Sequence, residues 1–431
     1  MRKCYHTDTV TTPDHPRFWF ANIVHRTRRD RALLVLQLIV VMLFAGTSTP
    51  IICCTSANEV KSAITIYCRE NHTVLELGAE LGDVSAHICR TIGPNGKAVL
   101  VDKKRKEVTT GRCKLRNREA FVKVESESND HENAVTQNKE ESGESSKPKE
   151  DCFIDRATVI ELDELSEWNE KIFGPDTSSS STPRPTQYNV IIMSIGAIIG
   201  HDLYMTMLSL ADEILNCLPK EHQPLAMIVK SKKLYSLSRR LIHPHHLFDG
   251  TVKFPDDVQR SAEPYIIAGV KVGEYRKTIP FTVRKDDAIL EVGCHFGRTT
   301  KILHDAGKYC IGVDIGPKII KNAKKQYPEI PFAVGDAWKT MQLLKFKKTL
   351  MEDDEMGYDL VYADIGGLSG ADGHLESLSL LDSLGYALEP RCIVIKSTCM
   401  RGLASKLKFF PDIYNKYQAV ERDPSAKRAK R

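Results

Sequence analysis

One ten-residue pattern occurs twice in this chain, and it constrains the fold more than any other feature of the sequence. Thr73–Gly82 (TVLELGAELG) and Ala288–Gly297 (AILEVGCHFG) share an apolar run, a glutamate and two glycines in the spacing E-x-G-x-x-x-G. An apolar run that enters a glycine turn and then a helical pattern indicates a buried strand, a tight turn and a helix. Such a turn lets a small ligand lie against bare backbone, because glycine has no Cβ.

The similarity between the two halves extends well beyond this pattern. Four further blocks recur in the same order around it. They pair Glu59–Lys61 with Glu274–Arg276, Lys97–Asp102 with Tyr309–Asp314, Tyr188–Gly196 with Tyr358–Gly366, and Met227–Ser231 with Ile393–Ser397. Matched blocks in one order predict two copies of one fold. We place the first copy at residues 57–245 and the second at 273–431, with a linker at 246–272.

Each copy alternates strand patterns with helical patterns, and this alternation predicts the class of fold. The strands predicted in the second copy are Ala288–Val292, Tyr309–Asp314, Pro331–Val334, Leu360–Asp364 and Cys392–Lys396. The helices predicted between them are Arg298–Asp305, Pro317–Gln326, Trp338–Leu344 and Ser377–Ala387. Near-continuous apolar strands separated by helices indicate a parallel sheet covered on both faces. We therefore predict an α/β protein with two tandem, doubly wound Rossmann-like domains.

The first copy carries two insertions that the second lacks. Residues 124–150 are mostly Glu, Ser, Asn and Lys, and residues 175–187 are rich in Ser, Thr and Pro. Such compositions bury too little apolar surface to offset the entropy of the chain. We expect both insertions to be disordered, with a strand at 157–161 and a helix at 164–172 between them.

The N-terminal leader, residues 1–56, contains the apolar segment Ala32–Ala45 behind a group of arginines. Fourteen residues are few for a membrane-spanning helix and suit the core of a signal peptide, although the stretch ahead of it is long for a signal. Two interpretations of this segment are open. It is either a targeting or anchor segment that contacts a membrane or translocon, or a plain surface helix. The twelve cysteines form no CxxC pair, and most lie in apolar patterns, which favours buried thiols and an intracellular location.

Two classes of cofactor compete for a glycine turn that is followed by an acid. The acid after the next strand, Asp314 in the second copy, is placed to accept hydrogen bonds from a ribose. The dinucleotide fingerprint G-x-G-x-x-G needs a middle glycine. His295 and Glu80 stand in that position, so both copies disfavour a nicotinamide oxidoreductase.

The pattern resembles motif I of the class I S-adenosylmethionine-dependent methyltransferases, and the resemblance covers both copies. In the second copy, Asp314 matches the ribose-binding acid of that family, and Val334–Ala337 matches the motif whose acid, here Asp336, contacts adenine. Tyr358–Asp364 matches the motif that ends beside the methyl group. The resemblance implies S-adenosylmethionine as the cofactor, bound by Glu291, Gly293, Cys294, Gly297, Asp314, Ile315, Asp336 and Ala337.

Asp364 and Lys396 are the candidate catalytic residues. They end adjacent predicted strands, so they can converge at one edge of the sheet. The pair resembles part of the Lys-Asp-Lys-Glu tetrad of FtsJ-like RNA 2′-O-methyltransferases, in which a lysine helps to activate a ribose hydroxyl. The upstream lysine would be Lys277 or be replaced by Arg276, and Glu421 is the only late glutamate. RNA is thus a candidate methyl acceptor, and a structural ion pair is the alternative for Asp364 and Lys396.

The first copy keeps the residues of a second cofactor site but loses the catalytic acid. Its matching residues are Glu76, Gly78, Gly82 and Asp102, with Lys230 in the place of Lys396. Ser194 stands where the second copy has Asp364. We predict that the first copy is degenerate and serves as a scaffold or substrate platform. A non-catalytic binding protein that kept the fold is the alternative for the whole chain.

Two further features point to ligands less specifically. His243-Pro-His-His246 contains imidazoles, but no other ligand group follows at metal spacing, so we predict a polar linker and no metal. The chain ends in the basic run Ala426–Arg431, which suits a phosphate contact, a localisation signal or a solvated tail. The net charge of +5 does not by itself indicate nucleic-acid binding.

Overall fold

The computed structural model describes residues 49–79, 83–103, 157–162, 172, 187–194, 204–352, 355–366 and 373–422. The chain forms a large unit, Ser48–Phe410, and a smaller one that combines Met1–Thr47 with Pro411–Arg431. Both sheets lie in the large unit. Several predicted segments lie outside the described residues: Ala32–Ala45, the insertion at 124–150, the helix at 164–172 apart from its last residue, all but the last residue of the insertion at 175–187, and the basic end Ala426–Arg431. The predictions made for them stand untested.

Within the described residues, fourteen strands form two seven-stranded sheets, and all pairings between these strands are parallel. The first sheet has the order β14-β1-β6-β5-β2-β3-β4 and the second β11-β10-β9-β12-β13-β8-β7. The strands are β1 Ile51–Cys54, β2 Thr73–Leu77, β3 Lys97–Lys103, β4 Ala157–Leu162, β5 Val190–Met193, β6 Ala226–Lys230, β7 Leu241–Ile242, β8 Tyr265–Gly269, β9 Ala288–Val292, β10 Tyr309–Asp314, β11 Phe332–Val334, β12 Leu360–Ala363, β13 Cys392–Lys396 and β14 Leu407–Phe409.

Helices separate these strands, as parallel pairing requires. They are α1 Ala57–Tyr67, α2 Asp83–Ile92, α3 Tyr204–Cys217, α4 Lys232–Arg240, α5 Pro244–Phe248, α6 Val272–Lys277, α7 Ile279–Thr282, α8 Arg298–Ala306, α9 Pro317–Gln326, α10 Thr340–Met351, α11 Gly373–Leu388, α12 Thr398–Lys406 and α13 Phe410–Arg422. Central strands such as β9 and β12 are buried along their whole length. The predicted class of fold, two doubly wound α/β sheets, is therefore confirmed.

The last strand of each half belongs to the sheet of the other half. After α4 the first half ends in β7, which pairs with β8 of the second sheet. After α12 the second half ends in β14, which pairs with β1 of the first sheet. The register is equivalent in both cases. Leu241 lies opposite Ile266 and Leu407 opposite Ile51, and these isoleucines both stand eight residues before the matched Glu59 and Glu274.

Contacts between matched helices show the same reciprocity. The hydroxyl of Tyr204 on α3 donates to the carboxylate of Asp382 on α11. In return, His374 Nδ1 on α11 lies 3.8 Å from Asp212 Oδ2 on α3. Tyr204 and His374 are equivalent in the repeat, as are Asp212 and Asp382. Reciprocal contacts between equivalent positions are those of a twofold interface, so the two halves pack as an approximate dimer within one chain.

The predicted linker needs a correction. Residues 265–269, within the segment 246–272, form β8, which lies between β13 and β7 in the second sheet. Polar residues surround this short apolar run, so the sequence did not distinguish it from a connection. None of the helices in the described residues is long and apolar enough to span a membrane.

Candidate functional site

The glycine turn after β9 lies where the order of the second sheet reverses. Its neighbours on either side are β10 and β12, the point at which ligands bind in doubly wound sheets. Gly293 has a φ of +77°, and its N–H donates to the carbonyl of Val313 at 2.8 Å. A Cβ on this residue would lie 1.9 Å from the backbone oxygen of Asp364. Only glycine therefore fits between the end of β9 and the residue that follows β12.

Glu291 lies beneath this turn rather than on its surface. Its side chain is 1% exposed, and its carboxyl accepts a hydrogen bond from the hydroxyl of Thr300 on α8. Burial raises the pKa of Glu291 to about 8, so the carboxyl is protonated near neutral pH. The direct cofactor contact implied by the resemblance is not available to a side chain so buried. Glu291 instead holds the start of α8 against β9.

Two other residues of the turn also shape it from below. Gly297 has a φ of +79° and caps α8, and a Cβ there would meet the ring of Phe332 at 2.5 Å. Cys294 is buried, and burial raises the pKa of its thiol far above the ordinary value. The backbone of these residues forms the surface that a ligand can approach.

The acid that ends β10 is partly exposed and anchored by backbone. Asp314 Oδ2 accepts from the N–H of His295 at 3.1 Å, and Oδ1 accepts from the N–H of Gly316 at 2.9 Å. These two bonds orient the carboxylate across the glycine turn. Ile315 follows with 73% of its surface exposed, so it presents an apolar face at the edge of the sheet.

The loop after β11 supplies the remaining predicted residues. Asp336 Oδ1 accepts from the N–H of Trp338 at 3.0 Å, and Asp336 and Ala337 are both half-buried. Trp338 is 47% exposed, and Phe296 in the glycine turn is 42% exposed. Exposed aromatic rings at the carboxyl ends of strands suit a flat heterocycle. The sequence analysis missed both rings, although an aromatic residue inside a glycine turn was a readable signal.

Asp364 and Lys396 meet, as their positions at the ends of adjacent strands predicted. Their side chains form an ion pair. The N–H of Asp364 donates to the carbonyl of Val292 at 3.0 Å, which ties the residue to the end of β9. The side chains of Asp364 and Lys396 keep 20% and 27% of their surface exposed, so both can reach a substrate.

The rest of the tetrad is less complete. Arg276 on α6 donates through Nε to Thr299 Oγ1 at 3.0 Å, which places its guanidinium beside the first turn of α8. Lys277 is exposed on the same helix. The side chain of Glu421 lies outside the described residues. The structure therefore brings together two of the four residues of the pattern.

The turn after β2 in the first sheet has the same construction. Gly78 has a φ of +82°, and its N–H donates to the carbonyl of Val101 at 2.8 Å. Ser85 donates to Glu76 at 2.6 Å, as Thr300 does to Glu291. Asp102 is half-buried at the end of β3, and Gly82 lies outside the described residues. Ser194 is buried where the second sheet has Asp364, so this turn lacks the neighbouring carboxylate.

The structure places an acidic side chain beside the histidines at 243–246, for which the sequence analysis predicted a polar linker and no metal. The helical turn of α5 brings Asp249 to His245 and His246, and the three side chains could hold a metal ion. The sequence analysis sought a separate ligand group and overlooked an acid four residues away on the same short helix.

Comparisons with known proteins bear on the second domain. Residues 290–349 match the family model described as a methyltransferase domain. No curated protein matches the chain.

Solved structures of methyltransferases also match parts of the chain. A TehB-like S-adenosylmethionine-dependent methyltransferase from Corynebacterium glutamicum is 22% identical, with a TM-score of 0.21, over 34% of this chain and 71% of its own. An S-adenosylmethionine-dependent methyltransferase from Mesorhizobium loti is 20% identical, with a TM-score of 0.20, over 27% of this chain and 48% of its own. An S-adenosylmethionine-bound aminopentose methyltransferase from Micromonospora echinaspora is 16% identical, with a TM-score of 0.20, over 27% of this chain and 43% of its own.

The match thus spans less than half the length of the last two proteins, and we draw no argument from TM-scores this low. The family match includes β10, α9 and β11 together with the glycine turn. Residues 290–349 are therefore similar to a methyltransferase domain, in agreement with the resemblance predicted for the second copy.

Proposed function

We propose that the second domain of this protein transfers a methyl group from S-adenosylmethionine to a hydroxyl oxygen of RNA. The observation that carries the proposal is the ion pair between Asp364 and Lys396 at the point where the sheet order reverses. A partly exposed carboxylate and ammonium at this place, beside a turn that only glycine can form, suit catalysis better than a purely structural role.

The residues around the turn fit the cofactor. Gly293 lets the turn lie against the backbone of Asp364, and Asp314 offers carboxylate oxygens at the end of the next strand. When bound, S-adenosylmethionine supplies an electrophilic methyl group on a sulfonium, which needs little chemical activation. Asp314 would hold the ribose hydroxyls, and Asp336 and Trp338 would contact the adenine.

Lys396 and Asp364 would act on the acceptor. The carboxylate of Asp364 orients the Lys396 ammonium through their ion pair. The ammonium would in turn donate to the acceptor oxygen and stabilise the negative charge that develops on it, while the proton of the hydroxyl passes to solvent water. Alignment of the acceptor and this local charge are the contributions that a methyl transfer needs from the protein.

The helix after the cofactor loop favours a polyanionic acceptor. α9 begins directly after Asp314-Ile315-Gly316 and carries four lysines and no acid. All four lysine side chains are exposed: Lys318, Lys321, Lys324 and Lys325. Lysines on a helix beside the crevice can neutralise phosphates of a bound nucleic acid. This basic face supports the proposal of RNA over an uncharged small molecule as the acceptor.

The first domain would serve as a scaffold. It has the glycine turn but places buried Ser194 where Asp364 stands in the second domain. A buried hydroxyl offers no charge with which to orient an acceptor. We therefore assign methyl transfer to the second domain alone.

Methyl transfer from tritiated S-adenosylmethionine into fractionated RNA, protein and small molecules tests this function. We expect label in RNA with the intact chain, and a loss of at least 100-fold in Lys396→Ala with cofactor binding retained. Lys301→Ala, which removes an exposed lysine paired with Asp305, is the matched control and should keep full activity.

The possible outcomes separate the alternatives. Equal activity in Lys396→Ala and the control would remove Lys396 from the mechanism. Label in protein or small molecules would contradict RNA as the acceptor. Cofactor binding without transfer to any fraction would favour a non-catalytic binding protein.

A further inference from the structure

A second group of ligand-forming side chains lies on α5, outside the methyltransferase crevice. α5 directly follows β7, the strand that the first half contributes to the second sheet, and Asp249 caps its C-terminus. His245, His246 and Asp249 are all exposed. Each offers a ligand atom, and these atoms lie within 4.8 Å of one another.

We propose that His245, His246 and Asp249 bind one divalent cation of the zinc type, with water in its remaining positions. Two imidazole nitrogens and one carboxylate oxygen are ligands that Zn²⁺ uses in sites that keep an open position. At metal–ligand distances of about 2.0–2.1 Å in a tetrahedral site, neighbouring ligand atoms lie about 3.3–3.4 Å apart. His245 Nδ1 and Asp249 Oδ2 are 2.9 Å apart, so a small outward shift of these two side chains would admit the ion.

The local backbone holds the carboxylate in place for this role. Asp249 Oδ1 accepts from the N–H of Thr251 at 2.8 Å, while Oδ2 faces His245. His245 and Asp249 are four residues apart on a helical turn, so their side chains share a face. Pro244 at the first position of α5 fixes the start of the helix. The ligand atom of His246 lies within 4.8 Å of those of His245 and Asp249.

His243 is not part of the site. Its Nε2 accepts a hydrogen bond from Arg401 Nε at 2.5 Å, and the same guanidinium pairs with Glu274. His243 therefore links the end of β7 to α12 and α6. The three remaining side chains stand on the solvent side, where an ion can enter.

An ion at this position would stabilise the join between the halves. All three ligands lie within seven residues of the end of β7, so a bound cation would hold α5 in its helical form and keep β7 in the second sheet. A ligand that binds only the folded state raises the stability of the protein in proportion to the logarithm of its concentration.

Isothermal titration of the full-length, metal-stripped protein with ZnCl₂ tests the proposal. We expect one Zn²⁺ per chain at this site with micromolar affinity and a higher melting temperature in the presence of Zn²⁺. Asp249→Asn and His246→Gln should each weaken binding at least tenfold. His222→Gln, which alters a histidine outside the cluster, should leave binding unchanged. Unchanged affinity in both cluster variants would overturn the proposal.

A spectrum of the unmodified protein gives a reading that does not depend on how any variant folds. One equivalent of Co²⁺ should give a visible absorption band stronger than that of the aquated ion, because protein ligands replace water. The spectrum of the aquated ion at one equivalent would refute the site. Melting temperatures of the variants in chelator should equal that of the unmodified protein, which separates loss of a ligand from loss of the fold.

Discussion

At the scale of single residues, the site depends on a backbone contact that no other side chain permits. Gly293 stands in the left-handed region, and its Cα faces the carbonyl of Asp364 across two neighbouring strands. The glycine turn and the candidate catalytic acid are therefore held by the same contact. The turn in the first sheet has a similar φ and the same hydrogen bonds, but Ser194 is the residue that follows the neighbouring strand β5.

Gly293→Ala should abolish S-adenosylmethionine binding and lower the free energy of unfolding by about 1–3 kcal/mol. The added Cβ would meet backbone at 1.9 Å, and a positive φ is strained for alanine. Gly273→Ala is the control, because a Cβ at that exposed position in α6 meets nothing within 4 Å. Binding titrations and thermal melts measure both effects. Cofactor affinity equal to that of the unmodified protein would show that the turn is not the binding surface.

Glu291 makes stability depend on pH in a defined direction. Its folded pKa of about 8 lies above its ordinary value of 4.5, so the stability it contributes is fully present below pH 4.5 and is lost as the pH rises through 8. Glu291→Gln keeps the acceptor for Thr300 without the charge. The variant should match the unmodified protein at pH 5 and exceed it by at least about 1 kcal/mol at pH 8.5.

Denaturant titrations at the two pH values measure this difference. The exposed Glu376→Gln on α11 should show no comparable dependence on pH. A stability difference between Glu291→Gln and the unmodified protein that is the same at both pH values would refute the raised pKa.

At the scale of the elements, the exchanged strands determine how the halves depend on each other. β14 is only three residues long, yet Leu407 is buried in a core cluster that contains residues from both sheets. β7 holds Leu241 in the same cluster from the other side. Each sheet therefore takes an edge strand from the other half of the chain.

Leu407→Ala should destabilise the first sheet although the residue lies near the end of the second half. A buried leucine truncated to alanine costs about 2–5 kcal/mol. Hydrogen exchange should quicken at Ile52 in β1, with a similar effect from Leu241→Ala on Ile267 in β8. Ser405→Ala, an exposed change two residues earlier, is the control. Faster exchange confined to the second sheet would contradict the strand exchange.

The sequence predicted the long elements and missed the short ones for one physical reason. A near-continuous apolar run marks each of the strands β9, β10, β12 and β13. The matching blocks of the first copy follow one another in the same order. Periodicity requires length, and β7 and β14 have two and three residues. Their pairing depends on the tertiary arrangement of α4 and α12, which no local pattern encodes. Likewise, the motif places Glu291 next to a glycine turn, and this position alone does not reveal that its side chain is buried.

At the scale of the whole molecule, the two halves of the chain pack as an internal dimer. Reciprocal contacts between α3 and α11 and the two exchanged strands bind the halves into one unit. Because each sheet takes an edge strand from the other half, we expect each half to need the other for its stability. At the carboxyl ends of the strands the halves differ, because Ser194 stands in the first sheet where the second has Asp364.

Titration of the intact chain with S-adenosylmethionine, comparing Asp314→Ala with Asp102→Ala, tests directly which domain holds the cofactor. The two aspartates are equivalent in the repeat, so each variant is the control for the other. We predict that Asp314→Ala weakens binding at least tenfold while Asp102→Ala binds as the unmodified protein does. Loss of binding in Asp102→Ala with full affinity in Asp314→Ala would contradict the assignment of the active site to the second domain.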